Sequence, residues 1–139
     1  EPINYKQVTD NIKICIDNTK EFIKYINVRY TPYCYMEGYE RYVCNQFQHI
    51  YDKFDWNVEI YDLDIDVTKQ YTQDQKIDMA YTTAGVRREK DYKKSEACLK
   101  CKHLYICDGV EKQVSDFDFK PEGGEKIRDV NHYRKEFYE

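Results

Sequence analysis

The sequence predicts a small α+β domain, on three observations: a helical repeat of apolar residues near the N-terminus, an alternating segment directly after it, and a cysteine-rich loop far along the chain. The expected architecture is an N-terminal helix and strand, a short hairpin or sheet, and the cysteine-rich loop. A chain of 139 residues supports one modest core and not two, so residues 1–139 are read as a single domain.

The helix rests on Val8, Ile12, Cys15, Ile16, Phe22, Ile23 and Ile26, which recur at steps of three and four and mark one buried face. Cys15 lies on that stripe and is expected to pack as a small core hydrophobe. Ile26, Val28 and Tyr30 then alternate with polar residues as a short strand does, until Pro32 ends regular pairing. A turn around Gly38 leads into a short helix that runs toward Ile50.

Between Val58 and Val67 the alternation slips by one residue, which predicts two short pieces or a bulged strand. Residues near Lys76 to Thr83 are helix-compatible, with Gly85 as the expected stop. The stretch from Phe117 to Glu125 contains Pro121, Gly123 and Gly124 and reads as a loop over a surface.

Composition excludes several function classes. The hydrophobic fraction is 41%, yet mean hydropathy is -0.92, because 15 tyrosines carry much of the apolar area together with a polar hydroxyl. Apolar runs such as Ile14 to Ile16 are far short of the roughly 20 residues that cross a bilayer, so no membrane is expected as a partner. A formal charge of -4, with basic residues scattered along the chain, gives no footprint for a nucleic-acid backbone. The chain opens at Glu1-Pro2 without an initiator Met or an apolar leader, which predicts a processed product or a piece of a longer chain.

Six cysteines allow either three disulfides or a set of thiolates reserved for metal. Spacing favours metal. Cys98, Cys101 and Cys107 form C-x2-C-x5-C, in which two thiolates two residues apart turn onto one centre and a third closes on the same or a neighbouring one. Cys34 and Cys44 bracket Gly38 as a second pair. His103 lies inside the cluster and is expected at the surface or beside the ligands, whereas His49 and His132 stand among aromatics as structural residues. Two other readings stay open at this point: a cytoplasmic zinc-binding interaction module, closed by Cys98, Cys101, Cys107 and one of Cys34 or Cys44, and a secreted disulfide-stapled binding domain. The aromatics from Tyr33 to Trp56 offer either core and rim packing or a groove for a peptide.

At these residues the chain resembles the SPASM and twitch family of auxiliary iron-sulfur domains, which follow the catalytic barrel in many radical S-adenosylmethionine (SAM) enzymes. The carriers are Val28-Arg29-Tyr30-Thr31-Pro32-Tyr33-Cys34, then Gly38-Tyr39-Glu40 with Cys44, then the C-x2-C-x5-C run continuing as Asp108-Gly109. The resemblance implies ligation of one 4Fe-4S cluster by members of the set Cys34, Cys44, Cys98, Cys101 and Cys107. It also implies a cytoplasmic protein, a radical SAM catalytic domain as partner in the same longer chain, and residues 1–31 as the end or continuation of that barrel. A peptide or protein substrate is the partner that the aromatics from Tyr33 to Trp56 suggest beside that domain. The two-cluster family pattern continues with C-x3-C and a later cysteine, whereas Glu111 stands here and no cysteine follows Cys107. The C-x3-C-x2-C triad that holds the SAM-cleaving cluster is absent from the sequence, so SAM is expected only in the barrel and no catalysis from this chain alone.

Overall fold

The structure is a computed structural model, and it describes residues 3–51, 70 and 72–138. Among these the fold is α+β: four α-helices, three short 3-10 turns and one two-stranded antiparallel sheet. The alternating segment from Val58 to Val67 lies outside the described residues.

Helix α1 spans Tyr5–Thr19, and the side chain of its N-cap Asn4 accepts from the Gln7 N–H. It ends about two turns before the apolar repeat does, at Thr19 and not near Ile26. Asn18 and Thr19 are weak helix formers, and the Thr19 hydroxyl bonds back to the Cys15 carbonyl at 2.7 Å. Phe22 and Ile23 therefore fall beyond the helix and stand exposed. The face of α1 that is buried centres on Thr9 and Ile16; Cys15, expected in the core, is exposed.

The strand expected from Ile26 to Tyr30 reduces to one parallel bridge between Val28 and Val43, in which Val28 N–H reaches the Tyr42 carbonyl and Cys44 N–H reaches Val28. Extension stops at Tyr30, whose φ of 60° is left-handed. The turn at Gly38 is present, with φ at 82°, between 3-10 turns at Tyr33–Tyr35 and Glu40–Tyr42. Helix α2, Gln46–His49, follows.

Helix α3 runs Gln73–Asp91, from a capping box formed by Thr72 and Gln75 and straight through Gly85. Gly85 is not a stop: it lies within the helix with no left-handed φ, and an added Cβ would make only ordinary contact with the Phe47 ring of α2, at 4.0 Å. Ala80, Thr83 and Ala84 keep the same face of α3 thin. Strand β1, Tyr92–Lys93, leaves α3 and pairs antiparallel with β2, Val110–Glu111, in the register Tyr92 to Glu111 and Lys93 to Val110. The stretch 117–125 has no regular structure, as expected.

The main core gathers Ile16, Val28, Tyr33, Val43, Ile106 and Phe137, the last from helix α4, Lys135–Tyr138. Arg134 is also buried, donating to the Arg41 carbonyl at 2.8 Å and to Asn27 Oδ1. Of the aromatics considered for a groove, Tyr33 and Tyr42 are core residues and Phe47 packs on Tyr81 of α3. No helix among the described residues is long and apolar enough to cross a membrane.

Candidate metal centre

Two distant segments converge on one pocket. The first is the 3-10 turn Tyr33–Tyr35, entered through Pro32, whose fixed φ sets the chain up for a tight turn. It carries Cys34. Tyr35 ties this turn to the 117–121 loop by donating its hydroxyl to the Asp118 carbonyl at 2.7 Å. The loop in turn brings the Lys120 backbone N–H to the Cys34 sulfur.

The second segment is the C-x2-C-x5-C run. Glu96–Lys100 forms a 3-10 turn that presents Cys98, and Cys101 N–H closes on the Cys98 carbonyl at 3.0 Å. Further tight bonds, Leu104 N–H to Cys101 and Cys107 N–H to His103, wind the chain so that the third cysteine returns toward the first two. The 122–127 stretch clamps this knuckle from outside: Lys102 N–H reaches Glu122, Ile127 N–H reaches Lys102, and the Lys126 ammonium donates to the Leu99 carbonyl.

Cys34, Cys98, Cys101 and Cys107 all line the resulting pocket, a partly open cavity of about 20 Å³. Its walls include Tyr33, His103, Phe119 and Pro121. None of the six cysteines of the chain is in a disulfide. The fifth expected ligand, Cys44, does not line the pocket; it is buried beside the Val28 bridge, 2% exposed. Sequence spacing could not separate Cys44 from Cys34, because both flank the same Gly38 turn.

Electrostatics reflect the convergence. Burial pushes the Cys34 thiol up to about 11, and repulsion from Cys107, Cys101 and Cys98 adds to the shift. Burial also raises Cys107, while N–H bonds from Tyr33 and Gly109 favour its thiolate. The Gly109 bond is 3.3 Å long, and it depends on a left-handed φ of 85° that suits glycine. Ser95 Oγ lies 3.6 Å from Cys98 Sγ. Metal-free, Cys34 and Cys107 are thus thiols held protonated chiefly by burial, with N–H donors already aimed at both sulfurs.

His103, expected at the surface or beside the ligands, is 1% exposed. Its ring stacks on Tyr33 with centroids 5.0 Å apart, Nε2 meets the Tyr133 hydroxyl at 2.8 Å, and Nδ1 is 3.9 Å from Cys101 Sγ. Burial and the neighbouring Lys102 lower its pKa and favour the neutral ring.

Behind the pocket, Asp108 is a residue that spacing did not flag. Its carboxylate accepts from Arg88 Nε and from the Gln46 N–H, both at 2.8 Å, and its own N–H donates to Asn45 Oδ1. This joins α2 and α3 to the residue that follows Cys107. The only sequence signal was the Asp108-Gly109 pair itself, a common turn dipeptide.

The donor set suits a thiolate-ligated cluster: four sulfurs from two segments share one pocket with backbone N–H donors. Among the described residues, no three His, Cys, Asp or Glu side chains are grouped so as to hold a single metal ion. No family model matches the sequence, and neither a curated protein nor a solved structure is significantly similar to it.

Proposed function

We propose that this chain is an auxiliary iron-sulfur domain of a cytoplasmic radical SAM enzyme, binding one 4Fe-4S cluster through Cys34, Cys98, Cys101 and Cys107. The observation that carries the reading is the meeting of Cys34 with the C-x2-C-x5-C knuckle in one pocket. When bound, such a cluster supplies one-electron transfer. The chain's own residues hold it: four thiolates, backbone N–H groups of Gly109 and Lys120 at two of the sulfurs, and the 122–127 clamp around the knuckle.

Four thiolates occupy all four iron corners, so this ligand set leaves none open to a substrate. Of the roles open to an auxiliary cluster, electron relay and structural support fit it and direct substrate binding does not. A zinc ion would draw the same four thiolates to about 2.3 Å from one centre, and metal analysis separates that reading from a cluster. A disulfide-stapled domain needs bridges, and none is present.

Anaerobic reconstitution with iron and sulfide, followed by iron and sulfide analysis and optical spectroscopy, tests the proposal. The expected result is about four irons per chain, lost in Cys34→Ala, Cys98→Ala, Cys101→Ala and Cys107→Ala and kept in Cys44→Ala. Uptake of one colourless zinc in preference to iron, or loss of the cluster from a folded Cys44→Ala variant alone, would overturn it.

A further inference from the structure

The cysteine pocket contains a lysine, and no carboxylate among the described residues lines the pocket beside it. Lys94 lines the pocket beside Cys98 and Cys107, and its Nζ donates to the Leu104 carbonyl at 2.5 Å, inside the loop that joins those cysteines. The sheet places it there. In the β1–β2 register Lys93 faces Val110, so the next position along β1 comes opposite Gly109, whose N–H bonds Cys107 sulfur. Lys120 is a second lysine on the pocket wall, but it is exposed and its ammonium lies over the Tyr35 ring at 5.1 Å. No Asp or Glu lines the pocket. Among the described residues, Asp108 is a carboxylate close enough to act on Lys94, and it is already engaged by Arg88.

Burial disfavours the Lys94 ammonium, and the neighbouring Arg88 disfavours it further. A half-buried ammonium whose nearby carboxylate, Asp108, is shared with Arg88 is only partly compensated, so such a lysine makes physical sense where the ligand itself is anionic. A 4Fe-4S core at the 2+ level with four thiolates carries a net charge of 2-, and at the 1+ level 3-.

We infer that Lys94 is a positioning residue for the cluster's charge: its ammonium, fixed by the Leu104 carbonyl, favours the reduced state and raises the reduction potential of the site. This rests on the cluster reading given above. Reduction here is addition of one electron from dithionite, with no bond made or broken. A fixed positive charge in a low-dielectric wall stabilises the extra negative charge more than an exposed one does.

The test is an anaerobic redox titration of the reconstituted protein, followed by electron paramagnetic resonance, for wild type, Lys94→Met, Lys94→Gln, Lys94→Arg and Lys120→Gln. Lys94→Gln retains a donor for the Leu104 carbonyl and guards against a folding defect in Lys94→Met. Both neutral variants are expected to change the reduced-to-oxidised ratio at a fixed potential at least tenfold against reduction, a shift of about 59 mV to more negative potential. Lys94→Arg restores most of the shift, and Lys120→Gln moves the potential less than either neutral variant does. Equal iron content with an unchanged potential in folded Lys94→Gln overturns the inference while leaving the cluster reading intact. A wild-type protein that takes up no iron overturns both.

Discussion

Gly109 and Lys93 approach so closely that a Cβ on Gly109 would lie 2.1 Å from the Lys93 carbonyl oxygen. No side chain fits there, and the left-handed φ excludes one independently. Gly109→Ala therefore forces β1 and β2 apart at the residue whose N–H supports the Cys107 sulfur. A loss of about 3 kcal/mol in the metal-free protein is expected, measured by urea denaturation. An unchanged midpoint would mean that the two strands are free to separate.

The Arg88 to Asp108 pair is mostly enclosed, with Asp108 side chain 4% and Arg88 20% exposed. Asp108→Ala removes the acceptor for both Arg88 and the Gln46 N–H, and the expected cost is about 3 to 5 kcal/mol. Arg88→Met combined with Asp108→Leu should recover part of it, because no charge is then left buried alone. A double-mutant cycle reads the coupling directly; additive single effects would show that the two residues act independently.

Alkylation of Cys34 in metal-free protein should lag far behind that of an ordinary thiol. With its pKa moved from 9.0 to about 11, the thiolate fraction near pH 8 falls about a hundredfold. The stability consequence has a definite sign. A thiol pKa raised by folding contributes stability that is fully present below pH 9 and is lost as pH rises through about 11. Metal-free protein should therefore weaken over that alkaline window, and Cys34→Ala should weaken less. Mass spectrometry of labelled peptides and denaturation at several pH values check the two halves separately.

Cys15→Ala should change stability by no more than about 0.5 kcal/mol, as expected for an exposed position. Cluster content should not change. A cost of several kcal/mol would restore Cys15 to the core.

The reconstituted chain should not cleave SAM. Its sequence contains no C-x3-C-x2-C triad, and the four pocket thiolates leave no iron corner for SAM to occupy. Supplied with dithionite and SAM under anaerobic conditions, it should produce no 5′-deoxyadenosine above a cluster-free control. Product above that control would make this chain a catalyst in its own right.

Much of this arrangement was legible in residue order, and the exceptions have physical causes. The C-x2-C-x5-C run was legible as one group because its spacing is local, whereas the meeting of Cys34 with it in one pocket was not. Cys44 was not separable from them, since only the packing of Val43 and Cys44 against Val28 shows which way the chain faces after Gly38. Cys15 misled because periodicity counts apolar residues without knowing which face the rest of the fold covers; Val8 and Ile14 on α1 are exposed as well. The full length of α3 could have been anticipated from Thr72-x-x-Gln75, a capping-box signature, had Gly85 not been read as a terminator. The β1–β2 pair was out of reach, being two residues per strand and held by tertiary neighbours.

The burial of Arg134 and Phe137 has a bearing on how the chain reaches this structure. Arg134 bonds to Asn27 and Arg41, residues 107 and 93 positions earlier, and Phe137 fills the same core as Ile16 and Val28. The N-terminal half thus lacks part of its own interior until residues 134–138 have been synthesised. Folding must be late and governed by distant contacts, and slower than its helix content alone would suggest. On the ribosome, a nascent chain stopped anywhere before Arg134 should remain open to protease, and protection should arrive in one step once α4 emerges.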